Sequence, residues 1–139
     1  MTILFSRACK YAIRALVRMA QQPEIKQWSV HNLANQMDIP APFLAKNFQT
    51  LAKKDVLNSA KGRQGGFSFA KPPNEITIIE VIESIDGPEL AHQCTLGFPE
   101  CGDANPCPFH FEWKKVRAEL IGVLATKTIR QFALEVEVS

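Results

Sequence analysis

Residues 29–54, SVHNLANQMDIPAPFLAKNFQTLAKK, hold two short apolar periodicities on either side of a turn signal. Ser29 can cap a helix over 30–37, with Val30, Leu33, Ala34 and Met37 turned inward. Asp38-Ile39-Pro40 makes the turn. Pro42 then falls in the first turn of a second helix, where its missing N–H costs nothing. That helix, predicted over 42–54, buries Leu44, Phe48 and Leu51 at positions i, i+4 and i+7. Two short helices joined this tightly form a helix-turn-helix.

Upstream, Ala8, Tyr11, Ala12, Ala15, Leu16 and Met19 recur at helical spacing across 6–20, and Gln21-Gln22-Pro23 closes that helix. Cys9 beside this face is expected to be buried as a small apolar residue. Downstream, VLNSA and GFSFA flank Lys61-Gly62-Arg63-Gln64-Gly65-Gly66, a hairpin with an irregular basic tip. Thr77 and Glu80 have capping-box spacing, opening a helix that buries Ile78, Val81, Ile82 and Ile85 before Gly87. Residues 88–107 carry little regular signal and three of the four cysteines. A last long helix is predicted over 108–124, where Phe109, Trp113, Val116, Leu120 and Val123 step by 4, 3, 4, 3. This seam suits a partner helix, the alternative being a face packed on its own domain.

The expected fold is mainly α with a small β-hairpin. A winged helix-turn-helix occupies residues 1–87, a cysteine loop 88–107, and a dimerisation helix with its C-terminal tail 108–139. The composition, 46% hydrophobic, supports a compact core. No run approaches a membrane span, and the N-terminus lacks the order of a signal peptide, so a cytoplasmic setting is expected. Thiols there stay reduced.

The net charge of +2 is unevenly spread. Residues 1–71 hold 11 Lys/Arg against 3 Asp/Glu, whereas residues 72–139 hold 5 against 11. A basic first half built on a helix-turn-helix and a wing points to a DNA duplex as partner. The second helix would enter the major groove, bringing Pro42, Phe43 and Lys46 to base edges. Lys61 and Arg63 on the wing suit phosphates or a minor groove, with Lys53, Lys54, Arg7 and Lys10 as further cations. Few polar side chains stand at that helix's N-terminal end, so readout rests on few contacts and on DNA shape.

Cys94, Cys101 and Cys107 fall within fourteen residues, and His110 follows three residues later. Cys107 and His110 can point the same way, beside a helix N-terminus that favours thiolates. Soft thiolates select zinc, Cu(I) or iron–sulfur clusters. Zinc sites commonly pair cysteines two to four apart, and these gaps are wider. Zinc, and structural cysteines without metal, stay open on spacing alone. His31 and His92 carry no spacing argument and are expected at the surface. No base-and-orienter set, phosphate loop or carboxylate pair supports an enzyme using Cys101 or Cys107 as nucleophile.

Taken together these residues resemble the bacterial winged-helix iron–sulfur regulator family that includes the iron–sulfur cluster assembly regulator (IscR) and the nitric-oxide-sensing repressor (NsrR). The landmarks are Ser6 to Leu16 with Tyr11, Lys61-Gly62-x-x-Gly65-Gly66, Ile85-Asp86, and the three cysteines ahead of a long helix. The resemblance implies a homodimer joined through the last helix, with a cluster on Cys94, Cys101 and Cys107 near the interface. In cluster-assembly regulators a histidine completes a [2Fe-2S] site, and His110 stands at that place, which favours [2Fe-2S] over [4Fe-4S]. In nitric-oxide sensors a carboxylate from the partner's N-terminal region serves instead. Here that region reads Ala8-Cys9-Lys10, leaving Cys9 as the alternative cross-subunit donor. Pro40, Pro42 and Phe43 depart from the more polar residues of relatives, so operator specificity is not carried over.

Overall fold

A computed structural model describes residues 5–62, 65–88 and 108–135. Arg63, His92, Cys94, Cys101 and Cys107 lie outside them. The described chain runs α1 (Arg7–Ala20), α2 (Val30–Met37), α3 (Ala41–Lys53), β1 (Leu57–Ala60), β2 (Gly66–Phe69), a 3₁₀ turn at Pro73–Glu75, α4 (Ile78–Asp86), α5 (His110–Thr126) and α6 (Ile129–Glu135).

Each head helix starts where the local chemistry allows. The Ser6 hydroxyl accepts the Cys9 N–H at 3.0 Å and the Ser29 hydroxyl the Asn32 N–H at 3.3 Å, two side-chain N-caps. α2 ends at Asp38 in the left-handed region (φ 57°), a conformation that Asp tolerates, and the Ile39 N–H then reaches back to the Ala34 carbonyl at 2.9 Å. α3 begins without a side-chain cap at Pro40, whose carbonyl accepts the N–H of both Phe43 and Leu44. Leu44, Phe48 and Leu51 on α3 are fully buried, each contributing about 1.5–3 kcal/mol of apolar burial. They meet the small inward residues Ala12 and Ala15 and the larger Leu16 of α1 in one core.

The hairpin pairs Leu57 with Phe69, Asn58 with Ser68, Ser59 with Phe67 and Ala60 with Gly66. A bridge to a third backbone segment adds a rung that the local sequence pattern does not announce. The Trp28 N–H donates to the Phe67 carbonyl at 2.8 Å and the Phe67 N–H to the Trp28 carbonyl at 2.9 Å. The wing is therefore tied to the segment leading into α2. Gly66 sits beside this rung with φ 145°, and a Cβ there would stand 2.4 Å from the Trp28 carbonyl oxygen.

Three expectations need correction. Thr77 caps α4 through the Glu80 N–H at 3.3 Å, but Glu80 does not reach back; its carboxylate pairs with Lys71 at 2.6 Å. Ile85 is only half-buried. The segment after α5 holds a helix, α6, rather than only a tail. Its start is a closed capping box, with Thr128 N–H donating to Gln131 Oε1 at 2.9 Å and Gln131 N–H to Thr128 Oγ1 at 3.1 Å. Ile129 is fully buried. The Ile78 N–H donates to the Lys127 carbonyl and the Ile129 N–H to the Ile76 carbonyl, both at 2.9 Å. This pairing draws Lys127 into extended backbone (ψ 138°), which ends α5, while α6 lies along α1.

Along α5 the predicted seam divides. Trp113 is buried, Leu120 is half-buried and Leu124 joins the head core, whereas Phe109, Val116 and Val123 are 41%, 52% and 53% exposed. One stripe serves the chain's own domain through α4, and a second at seven-residue spacing faces outward.

Candidate functional site

The N-terminal end of α3 meets α1 at the surface. Phe43, 36% exposed, stands edge-on to Tyr11 with ring centroids 5.6 Å apart. The Arg14 guanidinium carbon lies 5.9 Å from the centroid of the Tyr11 ring. Tyr11, expected to face the core, is thus half-buried and supports Phe43 instead. Asn47, buried one turn further along, donates from Nδ2 to the Ala8 carbonyl at 3.3 Å and ties the two helices together.

The exposed charges on these two helices are all basic. Pro42 and Lys46 are exposed on α3, as are Lys53 and Lys54 at its far end. Lys61 is exposed at the base of the wing tip, whose Arg63 lies outside the described residues. Arg7, Lys10 and Arg14 are exposed on α1. Arg14 had no place in the sequence reading. Its signal was present, because Arg7, Tyr11 and Arg14 fall at i, i+4 and i+7 on one helix face.

Asp86 closes on the start of α1. The Ser6 N–H donates to Asp86 Oδ2 at 3.0 Å and the Ser6 hydroxyl to Oδ1. Cys9 is fully buried beside them. Its thiol is pushed up to about 12, first by burial and then by the Asp86 carboxylate, both as a charge and as a hydrogen-bond partner. Buried within the chain's own core, this thiol has no exposed face to offer a partner subunit. His31 is exposed, as expected.

Of the expected ligand set, Cys94, Cys101 and Cys107 lie outside the described residues. His110 is the first residue of α5, 2% exposed, with its ring edge-on to Phe111 at 4.9 Å. Among the described residues no three His, Cys, Asp or Glu side chains gather as a metal site.

The family model described as "Rrf2: Iron-dependent Transcriptional regulator" matches residues 5–135. The chain belongs to the Rrf2 family. A protein of Aquifex aeolicus named for an HTH-type transcriptional regulator is 34% identical over 130 residues, spanning 92% of this chain and 90% of the relative. The HTH-type transcriptional regulator IscR of Escherichia coli O1:K1 / APEC is 26% identical over 93% of this chain and 79% of its own. In three dimensions the chain is similar to CymR, the global cysteine regulator of B. subtilis, with a TM-score of 0.79 at 18% identity, covering 96% and 98% of the two chains. This Rrf2 protein is a DNA-binding transcriptional regulator with a winged-helix fold, and its relatives are regulators rather than enzymes. Among the described residues, no Rrf2 helix here is long and apolar enough to cross a membrane.

Proposed function

We propose that this Rrf2 protein is a homodimeric operator-binding regulator whose DNA affinity is gated by an iron–sulfur cluster on Cys94, Cys101, Cys107 and His110. The observation that carries this reading is the position of His110. It is a buried imidazole at the first residue of α5, immediately after the cysteine segment and on the helix that presents an unpartnered apolar stripe. Three thiols and one imidazole within seventeen residues suit a [2Fe-2S] cluster, and the family's description as iron-dependent agrees with it. When bound, such a cluster would supply a redox-sensitive charge and a crosslink between the cysteine segment and the foot of α5. The chain's own part is to hold His110 in place and to join α5 to the head through Ile76, Ile78, Lys127 and Ile129.

Phe109, Val116 and Val123 on α5 support a partner copy, since outward apolar residues at seven-residue spacing form a helix-pairing seam. Two recognition helices would then address half-sites about one DNA turn apart. A tenfold change in operator affinity needs only about 1.4 kcal/mol of coupling between cluster and DNA.

The test is purification without oxygen, with iron and acid-labile sulfide measured beside the visible spectrum, followed by operator titration of loaded and apo protein. Matched iron and sulfide that fall in Cys101→Ala and His110→Ala, with an affinity difference between the two forms, support the reading. Stoichiometric zinc, or equal affinity of loaded and apo protein for every operator, would leave a winged-helix regulator without cluster sensing.

A further inference from the structure

We propose that the recess between α1 and the N-terminal end of α3 reads the 5-methyl groups of thymine in the major groove, with Phe43 as the principal contact. The proposal rests on α3 being the helix that enters the groove. The recess is lined by Arg7, Tyr11, Pro40, Pro42 and Phe43, so Arg7 is the one charged residue in its lining. Pro40, Ala41, Pro42 and Phe43 have no side-chain donor or acceptor, and this is the part of a recognition helix that meets base edges. On α3, hydrogen-bond readout by side chains therefore starts at Lys46. What an exposed phenyl ring and a prolyl ring can recognise on a base edge is the one apolar group there, the thymine methyl.

Two observations favour DNA over an apolar protein surface as the occupant. Arg7 lines the recess, Arg14 stands over Tyr11, and Lys10 and Lys46 are exposed on the same two helices; an uncharged partner covering these cations would have to desolvate them, whereas a duplex supplies phosphates. The Phe43 ring is also held in place by its edge contact with Tyr11, itself backed by Arg14, so the contact surface is set before DNA arrives.

The experiment starts from a duplex enriched from a random library by the full-length protein. Each thymine is then replaced in turn by deoxyuridine, which removes the methyl group and keeps the base pairing. The expected result is a loss of about three- to tenfold at one or two thymines in each half-site, the scale of one buried methyl group. Phe43→Ala should bind the parent duplex more weakly and be indifferent to deoxyuridine at those positions, while Phe43→Leu keeps part of the discrimination. Binding by the unaltered protein that no deoxyuridine changes overturns the proposal, whatever the variants do. So does equal sensitivity in Phe43→Ala. Failure to enrich any duplex would instead overturn the placement of α3 in the groove, and the proposal with it.

Discussion

Ser6 and Asp86, eighty residues apart, bind each other twice: the Ser6 N–H donates to Asp86 Oδ2 at 3.0 Å, and its hydroxyl donates to Oδ1. The same hydroxyl oxygen accepts the Cys9 N–H, so the cap of α1 is held by the last residue of α4. Replacing Asp86 with Ala should cost about 1–3 kcal/mol, because a part-buried cap loses its partner. Ser6→Ala should cost about as much, and the double variant less than the sum of the two. Urea unfolding of the three variants measures this directly.

Cys9 makes stability fall at high pH. Its ordinary value of 9.0 rises to about 12 in the folded chain. Below pH 9 both states keep the proton. Between 9 and 12 the unfolded chain releases it and the folded chain does not, so the contribution is lost as pH rises through that window. Unfolding midpoints at about pH 8 and about pH 10 should therefore differ less in Cys9→Ala than in the parent protein.

Gly66 lies against the Trp28 backbone, next to the Phe67 bridge. With φ at 145° and the Trp28 oxygen 2.4 Å from a would-be Cβ, Gly66→Ala must displace the Trp28–Phe67 bridge or strain the strand. A loss of roughly 2 kcal/mol or more is expected. Gly62→Ala meets no neighbour within 4 Å, and its cost comes from φ +98° alone. Thermal unfolding should rank Gly66→Ala as the more damaging.

Lys46 and Lys61 should separate by their salt response. Both are exposed, and a lysine that only neutralises a phosphate adds about one unit to the slope of log affinity against log salt. Lys61→Ala should lower that slope by about one and weaken all duplexes alike. Lys46→Ala should also alter the preference among duplexes, read by competition between the selected sequence and its single-base variants.

Val116 and Val123 test the α5 face. They are half-exposed, and the head core beneath does not depend on them. Val116→Asp or Val123→Asp should leave the unfolding transition of the head intact and give a monomer in sedimentation, with operator affinity reduced because two half-sites can no longer be held at once.

The helix-turn-helix was legible because its signals are local: Ser29, Asp38 and Pro42 act within one turn of where they stand. α6 was not, although Thr128-x-x-Gln131 is a complete capping box, because a seven-residue helix has too little periodicity to declare itself. Glu80 misled in the opposite sense. Its spacing from Thr77 fitted a box, but Lys71 lies close in space and takes the carboxylate. Tyr11 and Arg14 were readable as a helix face but not as neighbours of the proposed DNA contact, since only the packing of α1 on α3 brings Phe43 to Tyr11. At the proposed cluster site, His110 alone of the four ligands falls among the described residues.

The return of α6 onto α1 has a consequence for the order of synthesis. Ile129 is fully buried in the head core, and the backbone of Ile76 and Ile78 finds its partners in Lys127 and Ile129. A nascent chain that has emerged only as far as Gly87 has its recognition helix but lacks the cover of α1. The head is completed only once Lys127 and α6 have emerged, after the cysteine segment has already been made. A prematurely terminated product therefore cannot present a finished head that lacks the cysteine segment.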